Sequence, residues 1–84
     1  MSTHKNTFTI MDMKVAIGDR IAKLRKAKNL SQQQFSYDAE IERSYLTHVE
    51  KGRKNISVET LLKITKALDI SLKDFFDSKE FSKP

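Results

Sequence analysis

Ser31 to Asn55 read SQQQFSYDAEIERSYLTHVEKGRKN, and the fold turns on this stretch. Ser31 followed three residues later by Gln34 is a capping-box pattern that opens a helix, and Phe35 and Ala39 fall on its buried side. After a short turn, Ile41 is placed to plug the core before a further helix from about Arg43 to Lys51. Leu46 and Val49 face inward on that helix, and Gly52 ends it in the manner common at helix C-termini. Two short helices around a tight turn, closed by a basic loop, are an arrangement whose common use is to lay a helix in the DNA major groove.

Working outward, Ile17, Ile21 and Leu24 recur at four- and three-residue spacing and predict a first helix over 14–28. Lys14, Lys23, Lys26 and Lys28 surround that stripe as a solvated face, and Asn29 is a residue able to terminate the helix in the left-handed conformation. Residues 1–13 lack a helical period and read as a flexible N-terminal arm, with a short ordered piece at 8–11. Downstream, Ser57 caps a fourth helix carrying Leu61, Leu62, Ile64, Ala67 and Leu68. Ser71 with Asp74 opens a short fifth helix containing Leu72, Phe75 and Phe76. Residues 78–84 read as a frayed tail. No segment alternates with period two long enough for a sheet, so the fold class is all-α: one domain over 14–77, built of five helices.

The chain has 84 residues, no cysteine and a net charge of +5. That length bounds it to one small domain with a modest core. Absence of cysteine excludes a disulfide framework and thiolate metal sites. No apolar run approaches the ~20 residues that span a bilayer, and the N-terminus lacks the apolar stretch of a signal peptide, so a soluble, cytoplasmic protein is expected. The charge is uneven: residues 14–55 hold ten Lys or Arg against five Asp or Glu, whereas 56–84 hold five of each. The excess sits on the two-helix motif, which favours a polyanionic partner.

The chain resembles the Cro/C1-type helix-turn-helix repressors, the xenobiotic-response-element family. The resemblance covers residues 15–76 and is carried by IGDRIAKLRKAKNLSQQQF, ERSYLTHVEKGRKN and LLKITKALDISLKDFF in that order. It is similar in particular to the small controller proteins of restriction–modification systems, an architecture shared with phage repressors and antitoxins. The resemblance implies a compact, lambda-repressor-like five-helix domain that binds DNA.

By that resemblance, Arg43, Ser44, Thr47 and His48 read bases from the third helix. Arg43 would hold guanine O6 and N7, and Thr47 would meet a thymine methyl. Gln32 and Gln33 at the start of the second helix, and Lys51, Arg53, Lys54 and Asn55 after the third, would meet the sugar–phosphate backbone, while Tyr45 would either reach a base or phosphate or pack against the flank of the third helix. Arg25 and Glu50 would form a structural ion pair between the first and third helices. Three departures stand out: Glu40 occupies a turn position usually held by glycine or asparagine, implying a turn of different shape. Glu42 is a poorer helix cap than the usual Ser, Asp or Asn, and it adds negative charge where the duplex approaches. Ile56 stands where proline is frequent.

One recognition helix reads few base pairs, so a homodimer binding half-sites about one helical turn (~34 Å) apart is expected. Val58, Leu62, Ile70, Leu72 and Phe76 are the candidate interface. No His/Asp/Glu set has metal-ligand spacing, and no glycine-rich phosphate loop or nucleophile–base pair is present. The expectation is a sequence-specific transcriptional regulator without cofactor or catalysis. The reading of a different class is a protein-interaction module that kept the fold and lost operator binding; the acidic Glu40 and Glu42 are its support.

Overall fold

Among residues 8–82, which the computed structural model describes, the chain forms five α-helices and a closing 3₁₀ turn. They are α1 (Ile10–Ala27), α2 (Gln32–Ala39), α3 (Arg43–Glu50), α4 (Val58–Leu68) and α5 (Leu72–Phe76), with the 3₁₀ turn at Lys79–Phe81. The expected all-α, five-helix class is what the structure shows. One apolar cluster joins all five helices: Ile21 of α1, Phe35 and Ala39 of α2, Leu46 and Val49 of α3, Leu61, Ile64 and Leu68 of α4, and Phe75 of α5.

The first helix begins earlier than its apolar stripe predicts. Thr9 accepts a hydrogen bond from the Asp12 amide while the Asp12 carboxylate accepts one from the Thr9 amide, a complete capping box. Residues 10–13 are therefore helical instead of belonging to an arm, and residues 1–7, the rest of that arm with His4, lie outside the described residues. The stripe misplaces the start because Ile10 and Met11 are exposed and carry no burial signal. At α2 only half of the expected box forms: Ser31 Oγ accepts from the Gln34 amide, but the Gln34 side chain donates forward to Asp38.

The C-terminal tail also differs from the expectation. Phe81 packs edge-on to Phe76, with ring centres 4.9 Å apart, and lies 6.0 Å from Phe75. Lys23 Nζ bridges Glu80 at 2.6 Å and Asp19 at 3.1 Å, so Lys23 is a tether and not merely solvated. Its hydrogen bond holds the Glu80 carboxyl below the ordinary carboxylate range. Beside it, Arg20 donates to the carbonyls of Phe75 and Asp74, each at 2.8 Å, closing the end of α5 against α1. Residues 78–82 are thus ordered by contacts with α1 and α5, while 83–84 lie outside the described residues.

Helices α1 to α4 end alike. The residues after them, Asn29, Glu40, Gly52 and Asp69, have φ of 59°, 59°, 75° and 57°. In each case the next amide reaches back to a carbonyl of the last turn: Leu30 to Arg25, Ile41 to Ser36, Arg53 to His48, and Ile70 to Thr65. Glu40 therefore does not reshape the turn between α2 and α3; it adopts the left-handed conformation that glycine favours, at a cost of roughly 1 kcal/mol. The two terminal hydrogen bonds and the half-buried Ile41 that follows offset that cost.

Gly18 sets how closely α1 crosses α3. A Cβ at that position would lie 2.2 Å from the Val49 carbonyl oxygen and 3.0 Å from that of Glu50. Alanine is the better helix former by up to ~1 kcal/mol, yet overpacking against backbone costs about 1–3 kcal/mol. Gly18→Ala is therefore expected to lower the urea midpoint of unfolding. A midpoint at or above that of the wild type would mean that α1 and α3 can separate without loss.

Candidate nucleic-acid interface

Arg25 is the buried cation around which the interface is assembled. Its guanidinium donates from Nε to Glu50 Oε2 at 2.7 Å and from Nη2 to Glu50 Oε1 at 3.0 Å. Nη1 donates to the Leu30 carbonyl at 2.8 Å, so one side chain joins α1, the α1–α2 turn and α3. The Arg25 and Glu50 side chains are only 9% and 7% exposed. Charge-assisted, bidentate geometry of this kind is the strong form of a protein hydrogen bond.

Gln32 belongs to the same network, which the sequence reading did not foresee. Its Nε2 donates to Glu50 Oε1 at 2.9 Å, and its Oε1 lies 3.0 Å from Thr47 Oγ1. The Thr47 hydroxyl also lies 3.0 Å from the Arg43 carbonyl. With one proton and two inward acceptors, that hydroxyl is committed to the protein. Gln32 likewise faces inward, joining the first turn of α2 to α3 instead of standing free as a backbone contact. Gln33 beside it is exposed.

The outer face of α3 begins with Arg43 and Ser44, both exposed, and continues to the partly exposed His48. Glu42 precedes it as N-cap, but its side chain makes no capping bond, so the first-turn amides are left without a side-chain partner. Tyr45 is half-buried against the core, and its hydroxyl donates to the Asn55 carbonyl at 3.4 Å. It fastens the loop after α3 rather than extending outward. In that loop Lys51, Arg53, Lys54 and Asn55 are all exposed. Among the described residues, no carboxylate pairs with Arg43, Lys51, Arg53 or Lys54.

The five apolar positions considered for dimer contact divide into two sets. Val58, Leu62 and Leu72 are 81%, 44% and 42% exposed, whereas Ile70 and Phe76 are half-buried against the core. The first three present apolar surface on α4 and α5. Among the described residues no group of His, Asp and Glu is arranged to hold a metal ion, and no helix is long and apolar enough to cross a membrane.

A short helix pair around a left-handed turn, with cations on the second helix and the loop after it that pair with no carboxylate among the described residues, defines a helix-turn-helix DNA-binding domain. Residues 21–75 match the helix-turn-helix family HTH_3, and the chain belongs to that family of DNA-binding transcriptional regulators, which are not enzymes. It is 37% identical over 70 residues to control protein C.MunI of a Mycoplasma species, a match spanning 82% of this chain and 95% of that protein. The restriction–modification controller protein C.AhdI from Aeromonas hydrophila shares the fold with a TM-score of 0.73 and 39% identity, across 76% of this chain and 97% of that one. The controller protein C.Esp1396I, a tetramer in complex with its natural 35 base-pair operator, superimposes with a TM-score of 0.78 at 27% identity, over 84% and 96% of the two chains.

Breaking a buried ion pair by removing one partner costs about 3–5 kcal/mol, because the other charge stays buried. A neutral hydrogen bond contributes about 1 kcal/mol. Arg25→Ala is thus expected to destabilise far more than Thr47→Val, and Thr47→Ser, which keeps the hydroxyl, to leave stability nearly unchanged. Denaturant unfolding of the three variants measures the order. Equal stability of Thr47→Val and Thr47→Ser would show that the hydroxyl does not bind α3 to α2.

Proposed function

We propose that this protein is a homodimeric, operator-binding transcriptional regulator of the restriction–modification controller type, acting in the cytoplasm. The observation that carries the reading is the division of α3: its inner side is locked by Arg25, Gln32 and Thr47, while its outer side offers the unpaired Arg43 and Ser44. A helix held rigidly on one face and free on the other suits major-groove reading. The likeness to C.MunI supports the subtype, since it runs through 95% of that control protein.

In this reading Arg43 reads guanine through O6 and N7, and the Thr47 methyl meets a thymine. Ser44 and His48 contact neighbouring base edges. Gln33, Lys51, Arg53, Lys54 and Asn55 hold the backbone and set register without reading sequence. Gln32 acts chiefly by positioning α3, and its second amide hydrogen is left for a phosphate. Glu42, at the entry to α3, is placed to accept from a cytosine amine. A second copy docks through Val58, Leu62 and Leu72, so that two recognition helices address an inverted repeat.

Selection of bound duplexes from a random pool tests the function. The expected product is a two-fold-symmetric site with half-sites about one helical turn apart, and Arg43→Ala is expected to cost about 1–3 kcal/mol per half-site while relaxing preference at one position. Binding that enriches no sequence and disappears in moderate salt would overturn the operator reading in favour of a merely basic surface.

A further inference from the structure

The first turns of α1 lie against the end of α3 and the loop that follows it. Three observations place them there. Gly18 abuts the Val49 and Glu50 carbonyls, and a Cβ at Gly52 would sit 2.9 Å from Val15 Cγ2 and 3.0 Å from Val15 Cα. One turn nearer the N-terminus, Lys14 shares a surface hollow with Lys54 and Asn55, lined also by Ile17 and Ile56. Tyr45 ties the same Asn55 to α3 through its carbonyl.

Lys14 is half-buried, and among the described residues no carboxylate pairs with it. The α1 cations at positions 20, 23 and 25 are by contrast consumed within the fold, on two carbonyls, on Asp19 with Glu80, and on Glu50. Lys14 and Lys54 therefore bring two like charges to one hollow with no counter-ion among the described residues. Such a pair is relieved by an outside anion, and the Asn55 side chain beside them adds an amide donor.

We propose that Lys14, with Lys54 and Asn55, forms a seat for a backbone phosphate of duplex DNA, extending the contact surface from α3 and its loop onto α1. The proposal rests on the DNA-binding reading above and adds a residue to it. Lys14 would contribute affinity and salt dependence but no sequence preference, because a phosphate is the same at every base pair.

The test is the salt dependence of binding by the full chain, measured for wild type, Lys14→Ala, Lys14→Arg, Arg53→Ala and Lys73→Ala. Both the selected operator and a random-sequence duplex serve as probes. Each phosphate contact contributes about 0.9 to the slope of log K against log salt. Lys14→Ala is therefore expected to reduce the slope of a dimer by about 1.8, with the selected sequence unchanged. Lys14→Arg should restore it, and Lys73→Ala, which removes the same charge from α5, should leave it alone. A circular dichroism spectrum matching that of wild type excludes loss of fold as the cause. An unchanged slope for Lys14→Ala on both duplexes, with Arg53→Ala lowering it, would overturn the seat. Failure to select any site overturns the operator reading instead, because the slope on random duplex still reports the phosphate contact.

Discussion

The recognition helix depends on one buried cation. Arg25 reaches Glu50 with two donors and the Leu30 carbonyl with a third, and Glu50 passes the connection to Gln32 and so to the first turn of α2. The pair is largely desolvated, so neither member can be removed without stranding the other. The arrangement also specifies orientation: a bidentate fork tolerates little rotation of α3 about its axis. Gly18 serves the same end sterically, since only a residue without Cβ lets α1 approach the Val49 carbonyl closely enough for Arg25 to reach.

What the sequence makes legible here is local. The stripe of Ile17, Ile21 and Leu24, the Ser57 cap and the Gly52 terminator are each written within a few residues. Two errors arise where the deciding signal is not apolar periodicity. The start of α1 is set by the Thr9–Asp12 capping box, ahead of any buried residue, so a reading by stripe begins late. The closing segment is ordered by Phe81 on Phe75 and Phe76 and by Glu80 on Lys23. The Glu80 and Lys23 partners stand 57 residues apart in sequence, and no local pattern reveals such a pair.

The turn at Glu40 shows why a departure from a family pattern need not change geometry. The left-handed residue there sits between a helix whose last carbonyls need donors and Ile41, which the core accepts. Asn29 and Asp69 solve the same problem, with Leu30 and Ile70 as the apolar residues that follow. Three non-glycine residues at positive φ would be three separate strains in isolation. Here each costs roughly 1 kcal/mol, which the terminal hydrogen bonds and the apolar contact offset. The constraint that persists is therefore the conformation, and the residue type at the position is secondary.

Charge presents the complementary case, in which residue type is legible and role is not. The ten Lys and Arg residues within 14–55 point collectively to a polyanion. They cannot be ranked from composition, because Arg20, Lys23 and Arg25 look no different in sequence from Lys14 or Arg53. The fold separates them by what each already holds: carbonyls, carboxylates, or no partner among the described residues. A cation with its donors spent on the fold has little to offer a phosphate, whereas one held in place without a partner has its full interaction available. The same rule demotes the Thr47 hydroxyl, whose proton is spent inward, and Gln32, which keeps only one free amide hydrogen, and it promotes Lys14, which the apolar stripe of α1 leaves on a solvated face. The proposed interface is in this sense defined by subtraction: it consists of the groups that folding has positioned but not used.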